Sequence, residues 1–184
     1  GENLPIIFAA LMFALAAVAG LFALTRTIVT SFFPEAPFGA LILAILGVIA
    51  VSSVPWALRR SLIYELSTLS GIAFAIWGVW LTLRTVLTLR DDHAPSHGAL
   101  IRIATGSLLA GGVSALAVGC RPTMALVFLW APALIPMIRP QRKAIRAYCV
   151  SALSYALPVL IVALLLMRYN QLRFGSIFEF GFSY

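Results

Sequence analysis

The sequence predicts an all-α fold: a polytopic transmembrane bundle of about six helices that closes in an interfacial aromatic tail. Three observations predict it. Hydrophobic residues make up 62% of the 184 residues and charged residues 10%, where soluble domains hold about 45–50% and about 25%. Mean hydropathy is +1.03. The apolar residues gather in six runs near bilayer length, with too few alternating segments for a barrel. So few charges cannot cover a water-facing surface. Soluble enzymes, nucleic-acid-binding modules and disulfide-stapled secreted domains are excluded.

A crossing of the hydrocarbon core takes about 20 apolar residues, and lipid satisfies no backbone hydrogen bonds, so each run must be a helix. The first predicted span covers residues 4–24 and the second 38–58. The third covers 66–83 and the fourth 99–118. The fifth, 123–138, is short and carries Pro132 and Pro136, which remove backbone donors and kink it. The sixth covers 148–167. Residues 1–167 thus form the transmembrane domain, and 168–184 begin an interfacial loop. In the fourth span Gly111, Ala115 and Gly119 recur every four residues, a small-residue stripe suited to close helix packing. The opening Gly1-Glu2-Asn3 has no initiator Met or signal-peptide pattern, and the chain closes on a polar stretch. It reads as an internal piece of a longer polytopic protein.

Alternating loops divide the 13 basic residues. One side receives Arg26, Arg84, Arg90, Arg102, Arg139, Arg142, Lys143 and Arg146; the other receives Arg59, Arg60, Arg121, Arg168 and Arg173. The richer side is expected in the cytoplasm, which puts the start and the tail outside. Cys120 and Cys149 then lie a bilayer thickness apart, far beyond the roughly 7 Å limit for a disulfide.

Five arginines on the disfavoured side need a reason, and an anionic ligand supplies one, because the guanidinium fork matches phosphate oxygens. Arg121 is the sharpest case. It sits in a very short loop, Gly119-Cys120-Arg121-Pro122-Thr123, at the start of the fifth span, where free N–H groups also favour an anion. Snorkelling to ordinary lipid headgroups is the plainer alternative. The tail sets Tyr169, Phe174, Phe178, Phe180, Phe182 and Tyr184 among polar residues and Gly175 and Gly181. Such a segment belongs at the membrane interface. Asn170 and Arg173 beside it suggest a site rather than a bare anchor. Asp91-Asp92-His93-Ala94-Pro95-Ser96-His97 offers metal-binding side chains, but Pro95 breaks any helical face that would align the histidines. It reads as a solvated loop, and neither a metal nor another cofactor is expected.

The tail RYNQLRFGSIFEFGFSY, residues 168–184, resembles the YN-x-x-RFG-s-x-x-EFGy-x-Y signature of a group of polytopic bacterial membrane proteins. These are described as glycosyltransferases of the GT-C class, related to the protein O-mannosyltransferase and aminoarabinose-transferase families. Ile63-Tyr64-Glu65 before an apolar helix, and Gly119 to Thr123 before the proline-containing one, match the same pattern in order. The resemblance spans roughly residues 55–184. It implies transfer of a sugar from a polyprenyl-phosphate carrier to an acceptor on the outer face of a bacterial inner membrane. Arg121 and Arg173 would then hold phosphate, Tyr64 and Glu65 would line the cavity rim, and Tyr169 and Asn170 would meet the sugar or headgroup. The developing charge on a phosphate leaving group needs cations, and the acceptor hydroxyl needs a carboxylate base. That base is expected in an outer loop beyond this chain; Glu65 is a weaker candidate, better suited to orienting substrate or to pairing with Arg60 or Arg121. Two other readings stay open: a transporter or lipid flippase, and a non-catalytic membrane subunit.

Overall fold

The computed structural model describes residues 4–52, 54, 63–91, 96–129 and 145–178. Among the described residues there is no strand. The elements are α1 (Leu4–Phe32), α2 (Phe38–Val51), α3 (Ile63–Asp91), α4 (His97–Cys120), a 3-10 helix η1 (Pro122–Leu129) and α5 (Ile145–Phe174). Four of them, α1, α3, α4 and α5, are long and apolar enough to cross a membrane. The chain is an integral, multi-pass membrane protein.

The helices outrun the apolar runs that predict them. α1 and α3 have 29 residues each and α5 has 30, about 44 Å at roughly 1.5 Å per residue, whereas the hydrocarbon core is about 30 Å thick. Polarity marks where lipid tails end, and the backbone continues its own hydrogen bonding into the headgroup region. The flanking hydroxyls help. Thr27 donates to the Ala23 carbonyl at 2.8 Å, Thr30 to Arg26 at 2.8 Å, and Thr88 to Arg84 at 3.0 Å. Each hydroxyl is satisfied one turn back on its own helix. α5 likewise runs on through Arg168, Tyr169, Asn170 and Arg173, so these lie on a helix rather than in the loop the sequence predicts from residue 168.

Two elements cover only part of their predicted spans among the described residues. α2 has 14 residues and ends where Ser52 turns extended, at ψ 156°, with its N–H on Val48 and Ile49. The remainder of the predicted second span, except Val54, lies outside the described residues. So do residues 130–144, with Pro132, Pro136 and most of the basic stretch at 139–146. The described start of the fifth span is 3-10, not α. Its three residues per turn bring Pro122, Ala125 and Phe128 into one row.

Helix directions follow from which residues meet. The Phe13 ring stands edge-on to Phe74, with centroids 5.8 Å apart. Trp77 donates its indole N–H to the Ala16 carbonyl at 2.9 Å, and Trp80 donates to the Thr27 hydroxyl at 3.0 Å. Numbers rise together, so α1 and α3 are parallel. On α4 the contacts with α3 run backwards: Cys120 adjoins Gly71, Ser114 adjoins Gly78 and Gly106 adjoins Thr85. With α5 they run forwards, Ser107 to Ser151 at 2.7 Å and then Gly111 to Tyr155. α4 is therefore the middle plank, antiparallel to α3 and parallel to α5. Arg121 and Ile145 consequently lie at opposite ends of the bundle.

The end that holds the starts of α1 and α3 and the finishes of α4 and α5 is the tail end; the other is the loop end. The described arginines divide accordingly. Arg26, Arg84, Arg102 and Arg146 lie in the loop-end half, and Arg121, Arg168 and Arg173 lie at the tail end. Arg84 stacks on Trp80, 5.1 Å from the ring centre. Cys120 and Cys149 are both free thiols, near the tail end of α4 and the loop end of α5 respectively.

Small side chains let these long helices close up. Ala10, Ala14 and Ala17 of α1 are buried against Leu69 and Ala73 of α3. At the loop end Leu83, Val86 and Leu89 pack with Ile103 and Ala147. Of the predicted α4 stripe, Gly111 and Ala115 are buried. Gly119 is exposed and faces open space, because the α4–α5 seam turns off the four-residue line before the helix ends.

Candidate functional site

Three features lie at the tail end of the bundle: a buried carboxylate, a half-buried arginine and an apolar groove. Glu65 sits in the first turn of α3, one turn ahead of Leu69 in the α1–α3 core. It is 5% exposed, and its Oε2 has no hydrogen-bond partner among the described residues. A buried carboxylate oxygen without a donor costs about 1–3 kcal/mol, more when charged. The Tyr64 side chain lies outside the described residues.

Arg121 is the C-cap of α4. Its backbone leaves the helix at φ −150° and ψ 122°, while its N–H still reaches the Ala117 carbonyl at 3.1 Å. Its own carbonyl accepts from Met124 at 2.9 Å, which starts η1. The guanidinium is therefore carried on a corner between two helices, half-buried. Gly71 lies against Cys120 and Met124 beside this corner, and Glu65 is six residues earlier on α3, an axial distance of about 9 Å.

The last turns of α5 place the tail residues. Tyr169 and Arg173 are exposed, one turn apart, and Arg173 Nη1 donates to the Tyr169 hydroxyl. The guanidinium also lies 5.8 Å from the Tyr169 ring and 5.2 Å from that of Phe174, within cation–π range. Asn170 points the other way. It is 3% exposed and donates from Nδ2 to the Ile177 carbonyl at 3.4 Å. That contact exists because Gly175 reverses the chain at φ 72°, a left-handed value that glycine adopts without a Cβ penalty. The Gly175 N–H caps the Gln171 carbonyl at 3.1 Å, and Gln171 Nε2 returns a bond to the Gly175 carbonyl at 3.1 Å. The Asn-x-x-Arg-Phe-Gly stretch therefore encodes a helix stop and a turn-back. The sequence reads these residues only as site candidates.

The reversal brings Ile177 and Phe178 over a groove of about 350 Å³. It runs between α4, η1 and α5, and Val118, Pro122, Ala125, Phe128 and Ala163 are among its walls. Every lining side chain is apolar. Nothing in the linear sequence announces it, because its walls come from three separated segments. A second apolar hollow of about 360 Å³ lies on the other side of η1, against Leu24, Ala75 and Val79.

No family model matches this chain. Neither the curated proteins nor the solved structures contain a match. The site must be read from its own geometry.

Mid-height of the bundle is different in character. Thr82 and Thr85 donate to the Gly78 and Leu81 carbonyls at 2.7 and 2.9 Å, Ser107 pairs with Ser151, and Tyr155 sits beside Ser114 and Thr82. Of these, the Ser107–Ser151 pair joins α4 to α5 across the helix interface, as interhelical hydroxyls do in lipid, while Thr82 and Thr85 bond back onto their own helix. Among the described residues no three His, Cys, Asp or Glu side chains are grouped to hold a metal ion. Asp92, His93, Ala94 and Pro95 lie outside the described residues, and so does Glu179.

Proposed function

We propose that this chain is the membrane portion of a GT-C-type glycosyltransferase. In this reading the full protein moves a sugar from a polyprenyl phosphate to an acceptor on the extracytoplasmic face of a bacterial inner membrane, which the tail end faces. The observation that carries the reading is Glu65, whose buried Oε2 has no hydrogen-bond partner among the described residues, at the bundle end where Arg121 and the apolar groove lie. A lipid-linked sugar phosphate brings a matching part for each: hydroxyls for Glu65, an anion for Arg121 and hydrocarbon for the groove. Arg173 and Tyr169, joined at the surface, and Tyr64 would contact phosphate, headgroup or sugar at the rim. Arginine donors aimed at the phosphate stabilise charge that grows as the glycosidic bond breaks.

Transfer is measured with the full-length protein in proteoliposomes and labelled polyprenyl-phosphate sugars. Arg121→Ala at normal abundance is expected to lower it at least about tenfold, since hydrogen bonds to charged groups contribute about 1.5–3 kcal/mol. Activity within a few-fold of wild type would remove Arg121 from the phosphate site.

Transport or lipid flipping calls for ionisable groups along a path at mid-membrane. From residue 66 to 83, 103 to 120 and 147 to 167, the spans carry no charged residue. This favours the enzyme. Orientation has its own test, in a cysteine-free background with a membrane-impermeant maleimide. Gln171→Cys should label on intact cells, and Arg102→Cys only after permeabilisation. The reverse pattern would invert the orientation and move the proposed site to the cytoplasm; labelling of both from one side would contradict the bundle's helix directions.

A further inference from the structure

Where α4 and α5 touch, they keep one register. Ser107 meets Ser151 at 2.7 Å and Gly111 meets the Tyr155 backbone, and both pairs are 44 residues apart in the chain. A straight α5 would carry the same step on to Ala115 with Val159 and to Gly119 with Ala163. Glycine and alanine are small enough for two helices to meet there closely. They do not meet: a Cβ at Gly119 would have no atom within 4 Å. Ala115 and Val118 stand instead across the groove of about 350 Å³ from Val159, Val162, Ala163 and Leu166. The seam is shut over the loop-end half of α5 and open over the tail-end half.

Pro158 lies between the two halves, inside α5. It has no N–H to give the Ser154 carbonyl one turn back, and its ring crowds that carbonyl. Ring and carbonyl share one face of the helix, so the helix opens on that face and bends away from it. The face looks at α4, because a Cβ at Gly112 would sit 3.8 Å from the Pro158 Cβ. The bend therefore carries the tail-end half off α4. One hydrogen bond short, this turn yields before the others of α5. We propose that α5 is jointed at Pro158, and that its tail-end half moves between this open position and a closed one in which Gly119 meets Ala163. In lipid, close packing of small residues draws helices together, and the closed position supplies it with no polar side chain to strip of partners. Ile177 travels with the moving half, since its carbonyl is held by Asn170 of α5. The joint then sets whether any apolar chain can lodge between α4 and α5. It goes beyond the transferase reading and does not depend on it.

Disulfide trapping tests the joint in the full-length protein in lipid nanodiscs, with Cys120→Ser and Cys149→Ser removing the native thiols of this segment. A disulfide needs Cβ atoms about 3.5–4.5 Å apart. Ser107→Cys with Ser151→Cys reports the shut half, and Gly119→Cys with Ala163→Cys reports the closed position of the other. Under copper phenanthroline the first pair should link promptly, in a Pro158→Ala background as well, which shows that the variant is folded. The Gly119–Ala163 pair should link too, but more slowly, because it waits for closure. Gly119→Cys with Leu164→Cys should stay reduced, since Leu164 points to lipid. Pro158→Ala restores the N–H and straightens α5, so it should speed the Gly119–Ala163 link about tenfold or more. A Gly119–Ala163 pair that stays reduced while Ser107–Ser151 links would overturn the closed position. Equal linking of Gly119 to positions 163 and 164 would mean that α5 wanders instead of closing in register, which also overturns it. Equal rates with and without Pro158 would take the joint away from the proline. A Ser107–Ser151 pair that fails to link would remove the register on which the proposal stands.

Discussion

Gly111→Ala is expected to unfasten α5 from α4, although it adds a single methyl group. A Cβ at Gly111 would overlap the Tyr155 carbonyl oxygen and lie 2.9 Å from its carbonyl carbon. The obstacle is backbone of a packed helix, which no rotamer change can move aside. Overpacking costs about 1–3 kcal/mol and more where the backbone must shift. The gain in helix propensity from glycine to alanine, about 0.5–1 kcal/mol, offsets only part of it. The neighbouring glycine is the control. A Cβ at Gly112 would sit 3.8 Å from the Pro158 Cβ, an ordinary contact, so Gly112→Ala should keep or raise stability. Unfolding in mixed micelles, followed by intrinsic tryptophan fluorescence, should place Gly111→Ala at least about 2 kcal/mol below Gly112→Ala. Equal stabilities would mean that α4 and α5 do not approach at this point.

The same pair of glycines shows how far the sequence can be read. Small residues at four-residue spacing announce a packing face, and Gly111 and Ala115 keep that promise. The face is a line on a cylinder, however, and a second helix crosses it at an angle. Where the crossing departs, Gly119 is left in the open. Helix ends are legible only in part for a related reason. Hydropathy reports the lipid boundary, while backbone hydrogen bonding continues the helices past it, with the Thr27, Thr30 and Thr88 hydroxyls satisfied on their own helices. The site is less legible still. The half-buried corner at Arg121 follows from a four-residue link between apolar runs, residues 119–122, which is visible in the sequence. The burial of Glu65, a charged residue in the first turn of its helix, is not. Asn170 looks like a ligand residue in a polar, aromatic tail, and only the folded turn shows its amide bonded to Ile177 and Gly175 at positive φ. The groove wall at Phe178 is a consequence of both.

Glu65 offers the more decisive experiment, because its structural and functional roles predict opposite signs. A carboxylate that merely completes a buried ion pair is missed when removed, at about 3–5 kcal/mol. A carboxylate kept for an incoming donor is a burden on the resting fold. Its removal sheds a desolvation penalty of several kcal/mol and sacrifices only a first-turn helix-dipole term of about 0.3–1 kcal/mol. Glu65→Gln should therefore leave unfolding stability unchanged or higher, with the Glu65→Leu variant at least as stable. Sugar transfer should move the other way. Glu65→Leu removes an acceptor to a substrate hydroxyl and should lose about 10- to 150-fold in kcat/KM, the equivalent of about 1.5–3 kcal/mol; Glu65→Gln, which retains a carbonyl acceptor, should lose less. Gain of stability with loss of transfer is the pattern expected where an active site holds a group the fold would discard. A destabilised Glu65→Gln that still transfers at the wild-type rate would place Glu65 in the scaffold, and the buried acceptor would then support packing at the tail end instead of catalysis.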